Sequence, residues 1–166
     1  MIARVHVMGD IITIAGQALL DPPARFGIIA SRFNAFIVEN LVSGCVETLR
    51  RHGVPERDIT LVNVPGAWET PLIAKTMAAS AKFDAIIALG AIIRGATTHF
   101  EHIAAGCANG LAEVSLGAGI PVVFGVLTVE TVEQAIERAG GKAGNRGADA
   151  ALTAIEMISL MRKLRL

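Results

Sequence analysis

The chain has 166 residues, a length suited to one domain with a substantial core. Its 15 basic and 15 acidic residues cancel, which excludes a global charge for gripping nucleic acid or an acidic membrane and leaves only local basic sites. Apolar residues make up 52% and charged residues 18%; a compact monomer would struggle to hide that much apolar surface, so the composition predicts a homo-oligomer.

Residues 1–25 stand apart from the rest. "ARVHVMGDIITIAG" is strand-like with a break at Gly9-Asp10, and Pro22-Pro23 separates it from the first core strand. Three readings stay open: an edge strand of the chain's own sheet, a partly ordered arm, or a strand lent to a neighbouring subunit. His6 and Asp10 interrupt the apolar run, which argues against a secretion signal.

From residue 26 onward, short apolar runs alternate with helical patterns. "FGIIA" (26–30) predicts the first core strand. A helix is expected over 36–52, with Ile37, Leu41, Cys45 and Leu49 on one face and Gly53 as its stop. "ITLVNV" (59–64) predicts a second strand, and a second helix starts near Pro71. "AIIALGAII" (85–93) predicts a third strand, followed by a helix over about 99–116. "VVFGVL" (122–127) predicts a fourth strand. The next helix opens at Thr131, with Gln134 completing a capping box, and closes at Gly140-Gly141. The last helix is expected over about 148–163.

Strands that are apolar throughout are expected to be covered on both faces. The alternation predicts a three-layer α/β sandwich, with a parallel four-stranded core sheet and helices on both faces. No internal repeat or linker divides the chain, so residues 1–166 are expected to form a single domain with a core at 26–163. Cys45 and Cys107 fit two buried thiols in a reducing compartment rather than a disulfide. The longest uncharged stretch, Val114–Val129, is shorter than the ~20 residues of a membrane span. The expected location is the cytoplasm.

Ligands of open parallel sheets bind beyond the carboxyl ends of the strands. That rule selects Ser31-Arg32-Phe33-Asn34, Val64 to Glu69, Gly95 to His99, and Thr128-Val129-Glu130. Thr98 and Glu101 have the spacing of a capping box, placing His99 in a first helical turn. Backbone N–H groups near Ala96, Thr97 and Thr98 would then face an anion, and the helix end would favour a neutral imidazole able to act as a base. A plain helix start with an exposed histidine satisfies the same pattern. His99 and His102 invite a zinc reading, but no third ligand is evident and no metal is expected. Trp68 and Phe33 are either core packing or flat walls for a planar ring. Glu69 suits a polyhydroxylated ligand or the start of the second helix. Arg138 suits a phosphate or the end of the fourth helix. "GGKAGNRG" (140–147) reads as an anion loop or as a glycine-rich connection.

Taken together, "SRFN", "VPGAWETP", "GAIIRGATTHFEH", "GIPVVFGVLT" and "EQAIERAGGKAGNRG" resemble the lumazine synthase family over about residues 26–160. The resemblance implies a flavodoxin-like fold assembled into pentamers, sometimes closed into a sixty-subunit icosahedral shell. It also implies an N-terminal strand added to the neighbour's sheet and active sites between adjacent subunits. The implied reaction is a step of riboflavin biosynthesis. It condenses 5-amino-6-(D-ribitylamino)uracil with L-3,4-dihydroxy-2-butanone 4-phosphate to 6,7-dimethyl-8-ribityllumazine, releasing phosphate and water without a cofactor.

By the same resemblance, Phe33 stacks on the pyrimidine, Ala67, Trp68 and Glu69 hold the ring and ribityl chain, and the backbone of Ala91, Ile92 and Ile93 binds the same substrate. Ala96 and Thr97 meet the butanone phosphate, and His99 transfers protons. Phe124 comes from the adjacent subunit, and Arg138 pairs with the phosphate. Trp68 stands where phenylalanine is expected and Arg146 where lysine is common. The alternative is a non-catalytic flavin- or lumazine-binding protein, or a shell-forming one, on the same scaffold.

Overall fold

The computed structural model describes residues 6–8 and 11–165. Its centre is a four-stranded sheet of β3 (Phe26–Ser31), β4 (Ile59–Val64), β5 (Ala85–Ile93) and β6 (Val122–Val129). The spatial order is β4-β3-β5-β6 and every pairing is parallel, as strand–helix alternation requires. The innermost strands are the most apolar: Ile28, Ile29, Ile86, Ile87 and Leu89 are fully buried.

Helices cover both faces. On one lie α1 (Ala35–Arg51), α4 (Val132–Arg138) and α5 (Arg146–Leu164); on the other lie α2 (Thr70–Ala79) and α3 (His99–Ala118). The α1 stripe of Ile37, Leu41, Cys45 and Leu49 is buried as its spacing predicts and packs with Ile28, Ile87 and Leu89 and with Ala151 and Ile155 of α5. The opposite core joins Ile29, Ile86 and Ala88 to Ala74 and Met77 of α2 and to Cys107 and Leu111 of α3. Side chains alternate across β5, so neighbours in sequence serve different cores.

The α1 stop follows its sequence. Gly53 adopts φ 82°, and N–H groups of Gly53 and Val54 donate to the carbonyls of Arg50 (3.0 Å) and Leu49 (3.1 Å). This is the hydrogen-bond pattern that a left-handed residue after a helix permits. At α4 the Thr131 hydroxyl accepts from Gln134 N–H at 3.3 Å, while the Gln134 side chain accepts from Glu130 N–H at 2.9 Å. The reciprocal cap is present, displaced by one residue on its return arm.

Four expectations change. The outer strands are not covered on both faces: Leu61 of β4 is 46% exposed and Phe124 of β6 is 39% exposed, because each strand has a sheet neighbour on one side only. The last helix begins at Arg146, where the Asn145 side chain accepts from the N–H groups of Gly147 and Ala148. "GGKAGNRG" forms a small hairpin of β7 (Ala139–Gly141) and β8 (Gly144–Asn145) leading into that cap, not an anion loop. The N-terminal segment does not extend its own chain's sheet: β1 (His6–Met8) and β2 (Ile11–Thr13) pair with each other, antiparallel. The Gly9-Asp10 break between them lies outside the described residues. Further on, Gln17 N–H donates to Ser159 Oγ and Lys163 Nζ to the Ala15 carbonyl, which ties the arm to α5.

Burial pushes the Cys45 thiol up from 9.0 to about 12. Above pH 9 the unfolded chain releases this proton while the folded chain keeps it to about pH 12, so stability present below pH 9 is lost as pH rises through that window. Cys45→Ala is expected to flatten the decline of the denaturant midpoint between pH 9 and pH 11, measured by urea titration; an unchanged slope refutes the assignment.

Candidate active site

A cleft of about 540 Å³ opens beyond the carboxyl ends of β3, β4 and β5. Its floor follows from unequal strand lengths. Pairing of β5 with β3 ends at Ala30 and Leu89, while pairing with β6 continues to Ile93 and Val129. The β3-facing backbone of residues 91–93 therefore emerges with no strand partner. Ala91, Ile92 and Ile93 all line the cleft.

The first wall is the turn after β3. Arg32 and Phe33 N–H groups donate to the carbonyls of Val64 (2.8 Å) and Pro65 (3.1 Å), tying this turn to the exit of β4. Phe33 is 72% exposed and lines the cleft, so it is a wall and not core. Asn34 sits at φ 59°, ψ 42°, a left-handed conformation asparagine tolerates better than most residues. Its Nδ2 donates to the Ala91 carbonyl at 2.9 Å, and its own carbonyl receives the first α1 N–H groups.

The second wall is the short 3-10 turn Ala67–Glu69 that enters α2. Trp68 is 57% exposed and faces the cleft with Ala67 and Glu69. Behind it, Thr70 Oγ1 donates to the Ala67 carbonyl at 2.7 Å and lies 3.2 Å from Cys107 Sγ on α3. Burial raises the Cys107 thiol, and the Thr70 contact opposes that rise, so this thiol packs rather than reacts.

The third wall is the start of α3, where Thr97, His99, Phe100 and Ile103 line the cleft. N–H groups of Gly95, Ala96, Thr97 and Thr98 donate to no described residue, and the 20-residue helix α3 begins immediately after them. Such a terminus favours an anion. The expected capping box at Thr98 and Glu101 does not form: the Thr98 side chain makes no cap bond, and a weak contact from His99 N–H to Thr97 Oγ1, 3.4 Å, stands in its place.

Glu101 is engaged elsewhere. It accepts from Arg94 Nη1 at 3.1 Å, while Arg94 Nε donates to Glu130 at 2.6 Å. The same guanidinium lies 4.4 Å from the centre of the Phe100 ring. Two carboxylates hold Arg94 more firmly protonated than usual. Asn34 falls within the strand-end stretch 31–34, where the sequence gives it no role of its own, and Arg94 falls outside the selected stretches. Arg94 is the sole charge between Asp84 and Glu101, and that isolation is the signal the sequence offers.

The predicted residues divide between two places. Phe33, Ala67, Trp68, Glu69, Ala91, Ile92, Ile93, Thr97 and His99 share the cleft, and Ala96 sits exposed in the loop at its rim. Phe124 and Arg138 lie outside it. Phe124 lines a separate concavity of about 380 Å³ with Arg146, Asp149 and Met157. Arg138 Nη1 donates to the Gln134 carbonyl at 3.0 Å and lies 3.7 Å from a Glu137 carboxylate oxygen. Among the described residues no three His, Cys, Asp or Glu side chains converge, so His99 and His102 have no third ligand there. No described helix is long and apolar enough to cross a membrane.

A three-layer α/β fold with an aromatic-walled cleft at its strand ends, beside a helix N-terminus and a histidine, is an arrangement in which parallel-sheet proteins hold small ligands. The model of the 6,7-dimethyl-8-ribityllumazine synthase family matches residues 23–162, and the chain belongs to that family of riboflavin-biosynthesis transferases. The protein named 6,7-dimethyl-8-ribityllumazine synthase from Halorhodospira halophila is 56% identical over 149 residues, covering 90% of this chain and 96% of that relative. A solved structure titled as the ABC domain in complex with L-Trp from Streptococcus pneumonia aligns with TM-score 0.38 and 16% identity, over 89% of this chain and 42% of that one. So distant a likeness carries no functional information.

Asn34 holds two elements at once, which makes it testable. Asn34→Ala forfeits a hydrogen bond and puts a methyl side chain in a left-handed conformation, an expected loss of about 1.5–3 kcal/mol. Asn34→Gly forfeits the bond alone and should lose roughly half as much. Urea unfolding of the two variants checks the order, and equal losses would contradict it.

Proposed function

We propose that this cleft is half of a two-substrate active site, completed by an adjacent copy of the chain, where 5-amino-6-(D-ribitylamino)uracil condenses with L-3,4-dihydroxy-2-butanone 4-phosphate. The observation that carries the reading is the division of residues. Two exposed aromatics, a free backbone edge, Thr97 and His99 meet in one concavity, while Phe124 and Arg138 are partly exposed outside it. A second copy presenting Phe124 and Arg138 to the cleft supplies the missing aromatic and cation.

In this reading Phe33 and Trp68 flank the pyrimidine, the 91–93 backbone reads its polar edge, and Glu69 accepts from the ribityl hydroxyls. The phosphate sits on the unpaired N–H groups of residues 96–98 at the head of α3, opposite Arg138 of the adjacent copy. The uracil amine condenses with the butanone carbonyl to an imine with loss of water, phosphate departs, and closure of the ring by the ribityl-bearing amine onto the neighbouring carbonyl carbon expels a second water. His99 at the first turn of α3 moves the protons. Juxtaposing the two substrates removes much of the entropic barrier, and the donors facing the phosphate stabilise its departure.

The reading extends to assembly. Phe36, Leu61, Leu72, Leu116 and Ile136 are exposed on the isolated chain, which fits burial between copies. A ring of five, with the N-terminal strand crossing to a neighbour's sheet, accounts for this, and the short 139–145 hairpin leaves room for closure into a sixty-subunit shell. Two buried free thiols fit a cytoplasmic location. A flavin carrier or shell protein on this scaffold would have no use for a phosphate seat beside a histidine.

The test is lumazine formation from the two substrates, followed by absorbance in the presence of a chelator. Arg138→Ala is expected to raise KM for the butanone phosphate at least about thirtyfold, with KM for the pyrimidine within about twofold. His99→Ala is expected to lower kcat about 10²-fold without changing particle size by light scattering. No product from the wild type refutes the function, and equal impairment for both substrates refutes the role of Arg138.

A further inference from the structure

The aromatic wall of the cleft depends on a residue that never reaches the cleft. Trp68 lies against α3, and the residue beneath it is Gly106. A Cβ on Gly106 would overlap Cζ3 of the indole outright and lie 3.0 and 3.2 Å from Cε3 and Cη2. Contacts that short do not persist, so any side chain at 106 must displace either the ring or the helix. One turn further along α3, a Cβ on Gly110 would lie 2.7 Å from the Pro71 ring. Between them Cys107 meets Thr70 at 3.2 Å. Three consecutive contacts thus seat the 68–71 segment on one stripe of α3.

Glycine inside a 20-residue helix costs helix stability relative to alanine, and Gly106 has an ordinary helical backbone, with no positive φ to explain it. Its use is the close approach. Tryptophan is broader than phenylalanine by a fused ring, and the atoms that would meet the Cβ belong to that outer ring. With the outer ring sunk onto the helix backbone, the indole is 57% exposed and still lines the cleft. Raised by one methyl group, it could not keep this seat in the cleft wall.

We infer that Gly106 is a positioning residue for substrate recognition: it sets the depth of Trp68, and so the width of the slot that accepts the planar heterocycle. This rests on the proposed function only for the identity of the heterocycle. The geometry itself predicts a change in Trp68 whatever the ligand. The phosphate seat and His99 lie at the head of α3, about two helical turns from Gly106, so the effect is confined to one substrate.

Trp68 is the chain's single tryptophan, so its emission reports on the seat directly. Gly106→Ala is expected to red-shift that emission in the substrate-free protein. In lumazine formation it should raise KM for the pyrimidine about tenfold, with kcat and KM for the butanone phosphate within about twofold. Trp68→Phe removes the outer ring, so adding Gly106→Ala to it should change the pyrimidine KM by less than about twofold. Near-equal effects of Gly106→Ala with tryptophan and with phenylalanine at 68, or an unshifted emission, would overturn the inference. If the wild type forms no lumazine, the functional reading fails while the emission shift still tests the seat.

Discussion

The cleft exists because β5 outruns its neighbour. Nine residues long and buried between two helical layers, β5 is anchored by Ile86, Ile87 and Leu89, each contributing about 1.5–3 kcal/mol of burial. Pairing with β3 stops at Leu89, but β5 continues to Ile93 along β6. A strand in that position must expose its main-chain edge to something. Asn34 satisfies one carbonyl by reaching across from the start of α1, and the rest of the edge becomes the floor of the site. The core that stabilises the sheet and the polar edge that lines the cleft are consecutive parts of one strand.

Beyond Ile93 the chain must turn back into α3 through residues 95–98, whose backbone N–H groups donate to no described residue. Arg94 governs that turn. Its guanidinium reaches Glu101 in the first turn of α3, Glu130 just past β6, and the face of Phe100. All three charged groups are substantially exposed, so these pairs add little to stability. Their consequence is geometric. Glu130 N–H in turn donates to Gln134, whose carbonyl accepts from Arg138. One run of polar contacts therefore ties the helix bearing His99 to the helix bearing Arg138.

Much of this could be read in the residues. Continuous apolar runs at 26–30 and 85–93 announced the inner strands, and the 3.6-residue stripe from Ile37 to Leu49 announced α1. The cleft residues followed from the strand-end rule together with family-like motifs. Side-chain competition was harder to foresee. Thr98 and Glu101 carry the spacing of a capping box, yet Arg94 offers Glu101 a charged partner, and an ion pair prevails over a neutral N–H. Tyr-free and rich in small residues, the chain also hides its closest contacts in glycines, whose role at 106 depends on where Trp68 lies. Likewise, ITLVNV is apolar enough for an interior strand; its position at the sheet edge is a property of topology rather than of its own six residues.

The placement of Phe124 and Arg138 away from the cleft comes from the same topology. Phe124 faces outward on β6, the opposite edge strand from β4, and Arg138 ends a helix beyond that strand. The cleft opens at the ends of β3, β4 and β5, and neither Phe124 nor Arg138 of the same chain lines it. The proposed site shared between copies gives the exposed apolar faces and the remote Arg138 a common use. Association would then do what a larger single domain does internally: exclude water from the cleft and bring a fixed guanidinium to the phosphate. Assembly and activity become one requirement, since the contacts that bury the exposed apolar side chains would also complete the site.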